Sequence, residues 1–257
     1  MYKSYKKPFL NIITSWGKKI HDKNFNKPPI YLGGCGRSGT TLLLSILSSH
    51  PEIFACKKEL KLFKEVTRGE SGEIIPKRMD RLYRSLITHK VAETCNRWCE
   101  KTPRNVRHIQ EISSYHNGNY KFLNIVRDGR DVILSQHPNS PETYWVNPER
   151  WINDVSAAYE ERNNPNVYTV RYEDMILDFD QAIEKICAFL DIPKCDEIEN
   201  WHLHTTVRKN NAYFGDVQRI FKGSIEKWKK PKNKDRAEEL MKYDEARKLL
   251  SFYGYEV

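Results

Sequence analysis

Residues 30–51 constrain the fold more than any other stretch of the chain. Ile30-Tyr31-Leu32 reads as a short apolar strand, Gly33 to Gly39 as a glycine-rich turn, and Thr40 to Ser49 as a helix ended by His50–Pro51. A strand feeding a glycine turn that opens a helix aims backbone N–H groups and a positive helix end at an anion. The same order recurs downstream. Lys121–Val126 is a buried strand, followed by a turn at Asp128–Gly129 and a helix to about Gln136. Val167–Val170 is a strand, with a helix over Phe179–Leu190. Further helices are predicted at Lys77–His89, Asn105–Ser114, Pro148–Glu161 and Asp235–Leu250. Alternation of this kind predicts an α/β chain: three layers, with a central parallel sheet of about five strands flanked by helices on both faces.

Nothing divides the 257 residues by linker, repeat or low-complexity tract, so residues 29–257 are expected to form a single domain. Residues 1–28 are a basic helical extension, in which Phe9, Leu10, Ile12, Ile13 and Trp16 recur at roughly helical spacing before Pro28–Pro29. Forty-three Lys and Arg against thirty-four Asp and Glu give a formal charge of +9, which suits an anionic ligand, an anionic surface or nucleic acid. The basic residues are scattered, and neither a recognition helix nor an aromatic platform motif is present, so a nucleic-acid partner is not expected. No apolar run approaches the roughly eighteen residues of a membrane span, and no apolar block follows the basic start. Six cysteines lack framework spacing, and His202 and His204 have no ligand-spaced Cys or carboxylate beside them. The expectation is therefore a cytoplasmic protein with reduced thiols and no metal.

Gly34 and Gly39 stand at the two glycine positions of a Walker A loop, but Thr40 occupies the place of its Lys. That Lys reaches the β- and γ-phosphates, so its absence argues against a P-loop kinase or nucleotide hydrolase; Arg37 puts the positive charge inside the loop instead. The stretch Gly36-Arg37-Ser38-Gly39-Thr40-Thr41 resembles the 5'-phosphosulfate loop of the sulfotransferase family, enzymes that use 3'-phosphoadenosine 5'-phosphosulfate (PAPS) and release 3'-phosphoadenosine 5'-phosphate (PAP). A second motif agrees: Ile125-Val126-Arg127-Asp128-Gly129-Arg130-Asp131-Val132, then Ser135, is similar to that family's 3'-phosphate motif. Arg127 at a strand end and Ser135 on the adjacent helix would converge on one phosphate, with Arg130 turned to solvent or to a structural carboxylate. Lys222-Gly223-Ser224 with Trp228 resembles the late cofactor loop of cytosolic members, although Phe221 stands where Arg is usual; Tyr172 resembles a strand-end tyrosine near the adenosine. The resemblance implies a P-loop-like fold and covers roughly Pro29 to the C-terminus.

Sulfuryl transfer is an in-line displacement that asks for positioning, charge stabilisation and a base. Glu59, after the His-Pro break, resembles the catalytic Glu segment of bacterial and Golgi-type sulfotransferases, the tyrosylprotein branch included, displaced by one residue. His50, His108 and His137 compete for that role. Lys101, in Glu100-Lys101-Thr102-Pro103, resembles the family's strand-end Lys near the transferred group, and Pro103 holds Thr102 extended. With Arg37 it would stabilise the leaving phosphate. The acceptor is expected to be a hydroxyl or amine of a small molecule, in a pocket lined from Tyr144, Trp145, Trp151, Tyr213 and Phe214.

Overall fold

The computed structural model describes residues 6–137, 140–207 and 222–257. Its strands are β1 (Ile30–Gly34), β2 (Ile53–Ala55), β3 (Val66–Arg68), β4 (Ile74–Pro76), β5 (Arg97–Lys101), β6 (Lys121–Val126), β7 (Gln136–His137), β8 (Ser140–Tyr144) and β9 (Val167–Arg171). Five of them form one parallel sheet in the order β2-β5-β1-β6-β9, and β3-β4 and β7-β8 are antiparallel pairs outside it. β1 is central: Leu32 lies in register with Lys101 on one side and Leu123 on the other.

The helices are α1 (Lys6–Asn24), α2 (Thr40–Leu47), α3 (Met79–Thr88), α4 (Ile109–Tyr115), α5 (Gly129–Ile133), α6 (Pro148–Glu160), α7 (Tyr172–Leu177), α8 (Phe179–Leu190), α9 (Asp196–Glu199), α10 (Trp201–His204), α11 (Lys234–Met241) and α12 (Asp244–Phe252). Side chains alternate across the sheet as the strand period requires. Ile30, Leu32, Leu123 and Ile125 pack with Leu43, Leu47, Ile183 and Ile186 of α2 and α8. Tyr31 and Phe122 face the other way, onto Leu82, Leu86, Ile109 and Ile112 of α3 and α4. Helices cover both faces of the five-stranded parallel sheet, as the alternation predicts.

Several local expectations are corrected. The predicted helix from Asn105 begins instead as a 3-10 helix over Pro103–His108, because Pro103 starts the turn directly after Thr102. α5 stops at Ile133, so Ser135 lies beyond the helix; its carbonyl accepts the Trp145 N–H at 2.8 Å. The last helix breaks at Tyr243, whose φ of −95° and ψ of 118° are extended, and Asp244 and Glu245 open a new helix whose positive end favours them. Trp151 belongs to the core rather than to the wall of an acceptor pocket: it is fully buried beside Val146 and Leu250.

Candidate active site

The described candidate residues gather along the carboxyl edge of the sheet, where open α/β sheets present their loops. The glycine turn follows β1, Glu59 follows β2, Lys101 ends β5, Arg127 follows β6 and Tyr172 follows β9. In the turn, Arg37 and Gly39 have φ of 74° and 99°, and the Ser38 N–H closes on the Cys35 carbonyl at 3.2 Å. α2 begins at Thr40 with no side-chain cap. Its first N–H groups, those of Thr40 and Thr41 included, are thus left without a capping acceptor. A Cβ on Gly39 would meet Tyr172 Cδ2 at 2.5 Å, so the ring can close on the turn only because residue 39 is glycine. Gly36 lies against the Arg150 guanidinium, with Nη2 at 3.0 Å from where its Cβ would stand.

Arg127 is the hub between the motifs. Its Nη1 donates to the Arg37 carbonyl at 3.1 Å, its Nη2 to the Ser224 carbonyl at 2.5 Å, and its guanidinium lies 4.5 Å from the centre of the Tyr172 ring. Tyr172 and Ser224 are joined through their hydroxyls at 2.7 Å. Arg37, Arg127, Tyr172 and Ser224 are thereby brought together. Burial, and then the charge of Arg127, lower the pKa of Arg37. The same two causes, in that order, lower that of Lys227. Lys227 carries no signal in the sequence, where it sits in a lysine-rich run indistinguishable from a solvated turn. Three cations within mutual reach, with Arg37 Nε, Ser38 Oγ and Arg127 Nε buried and unbonded, suit the oxygens of an anion such as a phosphosulfate or phosphate.

Arg130 turns to a carboxylate rather than to solvent. Its Nε and Nη2 both reach Asp128, at 3.0 and 2.8 Å, and its guanidinium lies 3.7 Å from the centre of the Trp228 ring. Ser135 lies past the end of α5 rather than on it. Gly223 is exposed, and only the backbone of Lys222 is described. Tyr213 and Phe214 lie outside the described residues. A cavity of about 440 Å³ borders this region, lined by Asp131, Arg171, Trp228 and Tyr255 among others, but neither Glu59 nor Lys101 reaches it. Donor geometry, not cavity size, therefore locates the chemistry.

Glu59 and Lys101 meet directly: Lys101 Nζ donates to Glu59 Oε1 at 2.8 Å, with the lysine side chain 4% exposed and the glutamate 37%. The competing histidines have other attachments. His50 joins the Pro193 carbonyl at 3.0 Å through Nε2 and receives the Glu52 N–H, and burial lowers its pKa. His108 lies 3.8 Å from Glu111, and His137 stacks on Trp145.

Residues 27–252 match the sulfotransferase domain family. The chain belongs to it. Its curated relatives include the protein-tyrosine sulfotransferase of Drosophila melanogaster, 26% identical over 213 residues, a match that takes in 72% of this chain and 42% of the fly protein. The chain thus spans less than half the length of that relative. Among solved structures, the sulfotransferase domain from the curacin biosynthetic pathway shares the fold at a TM-score of 0.62 and 17% identity, over 91% of this chain and 100% of that one. A mouse sulfotransferase complexed with PAP superimposes at a TM-score of 0.51 and 20% identity, over 96% of this chain and 94% of the other. The expectation of a cytoplasmic protein is overturned by the curated relatives, which are named protein-tyrosine sulfotransferases. Unspaced cysteines do not assign a compartment. Among the described residues no helix is long and apolar enough to cross a membrane.

Proposed function

We propose that this sulfotransferase transfers a sulfuryl group from PAPS to the phenolic hydroxyl of a tyrosine in a protein or peptide. The observation that carries the proposal is the 2.8 Å pairing of Glu59 with Lys101 at the sheet edge that also holds the glycine turn. The acceptor class rests on the relatives named protein-tyrosine sulfotransferases, and it replaces the small molecule expected from the sequence.

PAPS supplies the activated sulfuryl group. In this reading Arg37, Ser38 and the N–H groups of Gly39, Thr40 and Thr41, with Gly36 leaving room for the Arg150 guanidinium beside the turn, hold its 5'-phosphosulfate. Arg127, aided by Ser135, holds the 3'-phosphate, and Tyr172 with Lys222, Gly223 and Ser224 lines the nucleotide. Glu59 accepts the proton of the acceptor hydroxyl as the new S–O bond forms. Lys101 spends one of its three N–H donors on Glu59, which leaves donors for the leaving phosphate, where Arg37 adds its charge. The role assigned to each residue requires no metal ion.

The test is transfer of label from PAPS to a pool of tyrosyl peptides, run beside the same pool with phenylalanine for tyrosine and beside simple phenols. Label in the tyrosyl pool alone is expected. Transfer only to the phenols would overturn the peptide acceptor, and no transfer to any acceptor would overturn the reaction.

A further inference from the structure

Glu100 is a fully buried carboxylate near the carboxyl end of β5. Such a group is costly to desolvate unless its oxygens are hydrogen-bonded, and an apolar residue at the same place in β5 would cost nothing of the kind. Three hydrogen bonds satisfy it here. Oε1 accepts the Leu60 N–H at 2.8 Å and the Thr102 hydroxyl at 2.6 Å, and Oε2 accepts Asn105 Nδ2 at 2.7 Å. Two of these partners reach further. Thr102 Oγ1 also accepts the Lys61 N–H at 3.1 Å, and Asn105 Nδ2 reaches the Leu32 carbonyl of β1 at 3.2 Å. Burial raises the pKa of Glu100, while Thr102, Asn105, Leu60 and Lys101 oppose the rise.

The placement of this carboxylate is what gives it a role. Glu100 precedes Lys101 in the chain and binds the peptide group that follows Glu59. The segment around Glu59 is irregular, with Lys61 at a φ of 54°, so no helix or strand ladder holds it. We propose that Glu100 is a positioning residue that sets the Glu59–Lys101 pair, clamping the loop after β2 to the end of β5 through Leu60, Lys61 and Thr102. The inference rests on the proposed roles of Glu59 and Lys101 and adds the group that holds them in register.

The test measures turnover of PAPS with the tyrosyl peptide pool and PAP affinity by calorimetry, for Glu100→Gln, Glu59→Gln and the double variant. Glu100→Gln should lower kcat about tenfold or more while PAP affinity stays within about twofold. In the Glu59→Gln background the further loss should shrink below about twofold, because the clamp acts through Glu59. A merely structural role would instead lower PAP affinity together with kcat and would multiply with the Glu59 loss. Either of those results, or normal turnover of Glu100→Gln, overturns the proposal. Normal turnover of Glu59→Gln overturns both the base assignment and the clamp; a crippled Glu59→Gln with multiplying losses overturns the clamp alone. Should Glu100→Gln fail to fold, Thr102→Val removes the hydroxyl that joins Glu100 to the Lys61 N–H while keeping the carboxylate and its bond to Leu60. It should lower kcat with PAP affinity kept, and Thr102→Ser should restore it; unchanged kcat in Thr102→Val sinks the clamp.

Discussion

Arg127 Nη1 donates to the backbone carbonyl of Arg37 across 3.1 Å, which ties together two motifs ninety residues apart. The link is made to a peptide oxygen, so it leaves the Arg37 guanidinium unneutralised and Arg127 Nε unbonded. Positive charge is held in place in advance of any ligand. An anion arriving there finds its donors already oriented, which lowers the cost of ordering them on binding.

If Arg127 grips a 3'-phosphate, PAP should bind on the order of a hundredfold more tightly than AMP, which lacks it. Arg127→Ala should erase most of that preference by weakening PAP alone. Arg130→Ala should spare the preference but cost about 3 kcal/mol of stability, since it strands the buried Asp128. Calorimetry with both nucleotides and denaturant melts measure the two effects; equal affinities in the wild type would revive the kinase reading.

Glu59→Gln should lower turnover by about 10²–10⁴ with little change in PAP affinity, as loss of a general base does. Single-turnover transfer to tyrosyl peptides reads this directly. Near-normal rates with collapse in a His108 or His137 variant would move the base.

Lys101→Ala should reduce turnover more than it weakens PAP, because its interaction strengthens as charge develops on the leaving phosphate. The comparison is between kcat and the PAP dissociation constant. Equal losses would make Lys101 a binding residue only.

Gly39→Ala meets two penalties at once, a φ of 99° and a Cβ 2.5 Å from the Tyr172 ring. A loss of about 2 kcal/mol or more, with PAP affinity falling alongside, is expected. Gly36→Ala meets only the end of a flexible guanidinium, at 3.0 Å, and should lose far less. Matched melts of the two variants test the difference.

His116 predicts an acid-sensitive term. Its Nε2 pairs with the Tyr31 hydroxyl at 2.8 Å, and burial, with His21 adding to it, lowers its pKa from 6.5 to about 4. The unfolded chain therefore binds the proton first. Stability from this residue is whole above pH 6.5 and is lost as pH falls towards 4, by at most about 3 kcal/mol. His116→Gln should flatten the stability curve across that window; an unchanged curve would contradict it.

The turn after β1 was legible because glycines at fixed places and a following helix leave few alternatives. For Arg130 the sequence offers solvent or a structural carboxylate without naming which, and the structure supplies Asp128, two positions earlier. Ser135 was misplaced because nothing in Leu134-Ser135-Gln136 says that a hairpin replaces the helix after Ile133. Trp151 reads in the sequence as a pocket wall, whereas its indole N–H is spent on the Arg127 carbonyl at 3.3 Å inside the core. Glu100 and Lys227 carry no signal in the sequence for a common reason. A charged residue acquires its meaning from partners distant in sequence, such as Leu60 forty positions away, and composition carries no trace of them.

Trp228 has its backbone N–H on Asp131 at 2.9 Å and its ring under the Arg130 guanidinium at 3.7 Å. The indole is thus coupled to two consecutive residues, Arg130 and Asp131, of the segment that follows Arg127, and it is carried by the same stretch as Ser224, which Arg127 holds. Any shift of that stretch when a nucleotide enters changes the cation above the indole, and with it the emission of this one tryptophan. A difference spectrum against Trp228→Phe makes the late loop an optical gauge of occupancy, free of label and of acceptor.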